Sequence, residues 1–188
     1  YGEHISQHIY YFEVKESGKN DCRKFGLAYT TVGLDEDEEP DFFIEEFARC
    51  CIDWGASAVV GSGTHQIKAI ELYKGKPIFY SIANFIFQVD KMTMVPRDYY
   101  EKFKVDPSKT IDEAEYIRSN GGTRGLETQF KNYKGLMPLL EFEGGALKSV
   151  KIRPVELNFR SEKACKGLPQ LADAEVTEDI FNTLCRLS

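Results

Sequence analysis

The sequence predicts an α/β layered domain on three observations. Apolar strand-like runs alternate with an amphipathic helical run, two strand–turn–strand patterns stand later in the chain, and a second helical run closes it. With 42% hydrophobic and 13% aromatic residues among 188, the chain can bury a sizeable core, and its length suits one domain or a large part of one.

Residues 8 to 14 (HIYYFEV) and 25 to 32 (FGLAYTTV) read as strands around the polar turn 16–21. An acidic run from Asp35 to Glu39 reads as a solvated loop before Pro40. Phe43, Phe47, Cys50, Cys51 and Trp54 recur at helical spacing, predicting a helix from about Asp41 to Trp54 that Gly55 ends. Asp41 suits the N-cap or first turn of that helix. Ser57 to Val60 reads as a central buried strand that opens into the loop Gly61-Ser62-Gly63-Thr64-His65. A hairpin follows, with Ile70–Tyr73 and Pro77–Ser81 around Lys74-Gly75-Lys76, and Asn84–Phe87 completes the apolar block. A long polar excursion, about 88–133, holds one short helix near Ile111 to Ile117 and reads as a lid or mobile segment. A second hairpin spans Leu136 to Leu157 with its turn at Gly144-Gly145, and a terminal helix runs from about Thr177 to Leu187.

A net charge of −6 argues against nucleic-acid binding, which needs a basic face. A polyanionic substrate would need a local basic pocket instead. Cys22, Cys50, Cys51, Cys165 and Cys185 have no CxxC spacing, so no zinc knuckle or disulfide framework is implied; Cys50 and Cys51 read as buried thiols, which leans towards a reducing compartment. No apolar run is long enough to span a membrane and no signal peptide is visible, although the chain starts at Tyr1 and an upstream anchor stays open.

His65 carries the sharpest chemical reading. It follows a buried strand in a Gly-rich loop, where α/β folds present catalytic groups, and imidazole can ligate a divalent metal or act as general acid–base. A loop histidine hydrogen-bonded to backbone is the competing reading. His4 and His8 are spaced to share a helical face, but the Ile9–Phe12 run favours a strand and a structural role for the pair.

The segment GASAVVGSGTHQIKAIELYKGKPIFYSIANFIFQ resembles the signature of CapA-type capsule-synthesis proteins, members of the calcineurin-like metallophosphatase superfamily. VPRDYYEKFKVDP, SNGGTRG, KGLMPLLEFEGGALKSVKIRPVELNF and the closing KGLPQLADAEVTEDIFNTLCRLS are similar to later parts of that family, and KFGLAYTT to an earlier strand. The resemblance implies the C-terminal portion of a metallophosphatase-like α/β/β/α sandwich, incomplete in its N-terminal half, as one partial domain over 1–188. It also implies a divalent metal (Mn, Zn or Fe), a polyglutamate or peptide substrate and a bacterial cell envelope location.

Carried over residue by residue, His65 matches the second histidine of the family's GHGPH loop and is the implied metal ligand and catalytic group. Ser62 falls where the first histidine is expected, and hydroxyl does not replace imidazole for a transition metal. Asn84 is retained after Ala83, which stands for a glycine, and would ligate a hard cation or position substrate beside His65. Lys68 stands for an arginine and, with Ser62, would contact substrate. Glu71 would orient His65 or Lys68, or is a solvated strand carboxylate.

The family's early GD motif and central histidine segment have no counterpart, and YTT runs directly into VGLDEDEEPDFF. An incomplete sequence explains this most simply, with a break expected between about Tyr29 and Pro40; evolutionary loss of the centre is the alternative. The implied activity is metal-dependent hydrolysis or transfer at a γ-glutamyl or peptide amide, or peptide epimerisation. A non-catalytic relative that binds polymer or partners is the competing class.

Overall fold

A computed structural model of the chain describes residues 6–15, 22–31, 39–40, 42–88, 93–162 and 164–188. His4, the turn 16–21, the acidic residues 35–38, Asp41 and most of the expected break lie outside these. β1 (Ser6–Lys15) and β2 (Cys22–Thr31) pair antiparallel, with His8 opposite Tyr29, so His8 stands in a strand as its neighbours predict.

Helix α1 (Phe42–Asp53) buries Ala48, Cys51 and Ile52, with Ile44 and Phe47 partly covered. That stripe corrects the expected one, because at 100° per residue Phe43, Cys50 and Trp54 turn outward, and all three are exposed. Cys50 is therefore not a buried thiol. The helix closes as the sequence predicts: Gly55 N–H donates to Ile52 O and Ala56 N–H to Cys51 O, the paired bonds of a Schellman end.

The chain then enters β3 (Val59–Val60), β4 (Ile70–Tyr73) and β5 (Lys76–Phe79) in the order β3-β5-β4, parallel for β3–β5 and antiparallel for β4–β5. The expected central position belongs to β5 rather than to the Ser57–Val60 run. Ile78 and Phe79 are wholly buried, whereas β3 is short and lies at one side of this described sheet. The β4–β5 hairpin turns through Lys74-Gly75, both at positive φ, which matches the strand twist. Asn84–Phe87 does not extend the sheet, since only Ile82 and Ala83 form isolated bridges and Phe85 and Ile86 are exposed.

The polar excursion is largely folded among its described residues. It contains the expected helix, α3 (Ile111–Arg118) with a Thr110–Glu113 capping box, and an unexpected one, α2 (Arg97–Phe103). Two 3₁₀ turns, Leu126–Thr128 and Phe130–Tyr133, close it. Glu115 accepts from the Tyr99 hydroxyl and from Arg118, and Arg118 also reaches Glu127, so one half-buried ion network ties α2, α3 and the first 3₁₀ turn together.

β6 (Lys134–Glu143) and β7 (Ala146–Glu156) form the expected second hairpin, and β8 (Gln170–Leu171) adds to the β7 edge. Helix α4 (Ala174–Leu187) starts three residues earlier than its apolar pattern, because Asp173 caps it by accepting from Val176 N–H at 2.9 Å. Val176, Ile180 and Leu184 pack with Leu136, Ile67 and Ala83, so α4 seals the strip where the two three-stranded sheets approach. The chain is thus mixed α/β, as expected, and no described helix is long and apolar enough to cross a membrane.

Candidate functional site

Two loops meet at the C-terminal ends of β3 and β5. Residues 61–66 continue from β3, and Gly61 keeps its ladder by donating to Phe79 O at 2.7 Å and accepting from Ile82 N–H at 3.0 Å. Residues 81–84 continue from β5. The Thr64 hydroxyl donates to Gln66 O at 3.0 Å, so Ser81 Oγ donates to Thr64 Oγ1 at 3.0 Å and accepts from Ala83 N–H at 3.1 Å. Ser81 is fully buried, so these bonds clamp the two loops from within.

Both loops hold a non-glycine residue in the left-handed region, His65 at φ 60° and Ala83 at φ 61°. Each such residue costs about 1–2 kcal/mol, and conformations of this kind persist where surrounding bonds enforce them. Here the bonds meet at one point. His65 Nδ1 lies 2.9 Å from Asn84 Oδ1, and Asn84 Nδ2 donates to the Asn132 carbonyl at 2.9 Å. The second contact settles the first: a backbone carbonyl only accepts, so the Asn84 amide nitrogen must face it and the amide oxygen must face His65. Nδ1 therefore carries the proton. In the neutral imidazole Nε2 is left with its lone pair free, the state required of a metal ligand or general base.

Phe87 lies 5.5 Å from the His65 ring and 5.2 Å from Tyr133, giving the imidazole an apolar wall. Gly135, in β6, bridges Ala83 and passes so close to Asn84 that an added Cβ would lie 2.5 Å from its carbonyl oxygen. Asn132 is wholly buried; its side chain donates to Leu126 O, while its Oδ1 has no partner among the described residues.

The residues expected to act here separate into two groups. His65 and Asn84 are joined, and Ser62 sits beside them with its hydroxyl donating to Ala83 O at 3.1 Å. Glu71 is not the group that orients His65, for Asn84 takes that part. Nor is it a solvated carboxylate, because it accepts from Arg49 Nε at 3.0 Å, from Arg49 Nη2 at 3.1 Å and from the Tyr80 hydroxyl. Burial pushes the Glu71 carboxyl up, but the bonds from Arg49 and Tyr80 and the Arg49 charge outweigh it and hold it below the usual range. Burial, then the bond to Glu71, pushes the Tyr80 phenol well above its usual range. Lys68 is buried and its ammonium donates to Glu39 O at 2.7 Å, so a substrate carboxylate would have to displace that contact.

Two residues of the arrangement escaped the sequence reading. Arg49 had a signal, as the single basic residue of α1. Asn132 had none, because its part is played by a backbone carbonyl. Among the described residues no group of three His, Cys, Asp or Glu side chains comes together. His65 offers one imidazole nitrogen, and Asn84 already spends its oxygen on His65, so these residues alone do not make up a metal centre.

A family model described as "Bacterial capsule synthesis protein PGA_cap" matches residues 13–89, which include both site loops. Over 158 residues the chain is 34% identical to the uncharacterized proteins y4sH and y4uA of Sinorhizobium fredii, covering 80% of this chain and 34% of each relative. It is 40% identical over 55 residues to the PGA biosynthesis protein CapA of Bacillus subtilis, covering 29% of this chain and 14% of that protein. The corresponding figures for the capsule biosynthesis protein CapA of Bacillus anthracis are 36% over 58 residues, 31% and 14%. The chain spans only a minor part of the length of each relative. The family match over residues 13–89, the two CapA relatives and the CapA-type signature around His65 agree, and they support a CapA-type capsule synthesis protein.

Proposed function

We propose that this protein takes part in bacterial capsule biosynthesis, and that its described residues form the His65 side of a site acting on the amide of a γ-glutamyl or peptide chain. The observation that carries the reading is the His65–Asn84–Asn132 relay, which leaves Nε2 bare at the meeting of two strained loops. In this reading the chain is one partial domain of a metallophosphatase-type sandwich. Support comes from α1 packing on the β3-β5-β4 sheet and α4 packing where that sheet meets β6-β7-β8.

His65 Nε2 is the nitrogen these residues would give to a divalent metal such as Mn, Zn or Fe, and the other ligands would come from outside the described residues. Bound there, a metal would supply an activated water and a polarised carbonyl. The chain's own part is to hold the imidazole by Asn84 and to keep bulk water from one face of it with Phe87. Glu71 stays in its Arg49–Tyr80 network and braces α1 against β4.

A non-catalytic, polymer-binding relative is the second reading. It is favoured by Ser62, whose hydroxyl is committed to Ala83 O where the family has an imidazole. Calorimetric titration of the full-length apo protein with Mn and Zn at fixed pH separates the two. In the enzyme reading His65→Ala lowers the affinity and Ser62→His raises it, each on the order of 10-fold or more, and His65→Ala abolishes polymer formation in the producing cell. If neither substitution moves metal affinity, the enzyme reading gives way to the polymer-binding one.

A further inference from the structure

Asn132 Oδ1 is the one buried side-chain polar atom with no hydrogen-bond partner among the described residues. The residue is wholly buried in the 3₁₀ turn Phe130–Tyr133. Reversing the amide does not remove the difficulty. Its Nδ2 donates to Leu126 O at 2.9 Å, and a carbonyl only accepts, so the nitrogen belongs there and the oxygen faces the other way. The backbone of the residue is engaged as well: its N–H donates to Gln129 O at 3.1 Å and its carbonyl accepts from Asn84 Nδ2 at 2.9 Å. Oδ1 is therefore an acceptor fixed in place by three bonds to other parts of the chain.

The hydroxyls of the same stretch cannot serve it. A hydroxyl has a single proton; that of Thr128 goes to Gly125 O at 2.8 Å and that of Tyr133 to Glu127 O at 3.1 Å. A donor from elsewhere has to enter an enclosed space, so it has to be small. A bare buried amide oxygen is costly, and folded proteins meet such atoms with ordered water where no protein donor reaches them. Thr128 and Tyr133 line an open cleft of about 810 Å³, which brings solvent up to the turn. A water on Oδ1 also has a place for its second proton. Gln129 O belongs to the same turn and uses one of its two lone pairs, on Asn132 N–H. Two acceptors meet the minimum of about two polar partners that a buried water needs.

We infer that Asn132 Oδ1 binds an internal water molecule, a fixed part of the frame behind the imidazole. Asn132 reaches His65 through Asn84, which occupies Nδ1, so this water belongs to the Nδ1 side and not to the bare Nε2. It is distinct from any water that a metal at Nε2 would activate. The inference does not depend on the amide-site reading, and either can fail alone. With the water in place, each polar group of Asn132 has a partner, and the turn that orients Asn84 is tied at both the backbone and the side chain.

Two measurements on the full-length protein test this. A high-resolution crystal structure of the wild type should show water density at about 2.8 Å from Oδ1. In solution, isotope-labelled wild type should give NMR cross-peaks between water and the amide protons of residues 130–133, with the sign of a water held far longer than surface water. Asn132→Leu, close in size and without the oxygen, should lose those cross-peaks. Leucine also leaves Leu126 O unbonded and can unseat the turn, in which case the wild-type crystal structure decides alone. The inference is overturned if Oδ1 is found dry or bonded to a protein donor, if the wild type gives no such cross-peaks, or if they persist in a folded Asn132→Leu.

Discussion

Removal of the Asn84 side chain tests the imidazole relay directly. Asn84→Ala deletes two hydrogen bonds of 2.9 Å, one to His65 and one to the Asn132 carbonyl. Each is worth about 1 kcal/mol net, and an orphaned buried carbonyl costs about 1–3 kcal/mol more. Asn132 is wholly buried, whereas Asn84 is half-buried and water can reach its His65 side. The expected loss of stability is therefore about 2–4 kcal/mol, read by urea denaturation. Stability alone would not separate this relay from ordinary packing, so the second readout is the ¹⁵N spectrum of His65 at alkaline pH. The wild type shows the proton on Nδ1, and Asn84→Ala shows a mixture of tautomers. Asn84→Asp is the sharper variant. Its carboxylate still accepts from Nδ1 and keeps the tautomer, but it sets an oxygen against the Asn132 carbonyl, so stability falls while the spectrum holds. A wild-type His65 with a bare Nδ1 would refute the argument, because it would require the Asn84 amide to be reversed against a carbonyl.

Two further substitutions probe what supports the site. Glu71→Gln should cost about 1 kcal/mol at neutral pH, since the Arg49 pair is partly open to solvent. The carboxyl is depressed in the fold, so its contribution is present above the unfolded value of about 4.3 and is lost as pH falls through the lower folded value; denaturation curves of variant and wild type should converge in acid and stay apart at neutrality. Gly135→Ala puts a methyl 2.5 Å from the Asn84 carbonyl oxygen, inside contact distance. It should destabilise by about 1–3 kcal/mol and shift the His65 resonances, and unchanged spectra would mean that β6 does not brace the Asn84 loop.

The legible parts of this molecule are those whose cause is local. The α1 terminus, the Lys74-Gly75 and Gly144-Gly145 turns, α3 and the body of α4 each follow from a cap, a turn residue or a period within a few positions. The misread parts depend on distant partners. The apolar run at Ser57–Val60 looks central, but a run of that kind does not say which neighbour will be more enclosed, and β5 is. Phe85 and Ile86 look like strand residues, yet the αL residue Ala83 turns the chain out of the sheet just before them. Two-residue strands such as β8 have no period to read. At the site, the Gly-rich loop pointed to His65, and the resemblance pointed to Asn84. Neither could show that Glu71 would be drawn away by Arg49, 22 positions earlier.

The excursion between β5 and β6 reads in the sequence as a lid, and the structure gives it a different relation to the site. Its last turn, Phe130–Tyr133, supplies the carbonyl that orients Asn84, and Tyr133 supplies a ring that packs on Phe87. A lid is separable from the groups it covers, whereas loss of this turn would release the imidazole itself. Further along the same segment, Asn132 Nδ2 holds Leu126 O, and the adjoining Glu127 is held by Arg118, which also grips Glu115 of α3. The bonds that set the His65 tautomer and the bonds that tie α3 to the 3₁₀ turns therefore meet in one stretch, 126–133. Asn132 Oδ1, an acceptor with no partner among the described residues, sits near the end of it. A buried acceptor left bare costs about 1–3 kcal/mol, so this stretch is the place in the described molecule where a bound water or a polar ligand atom would gain most.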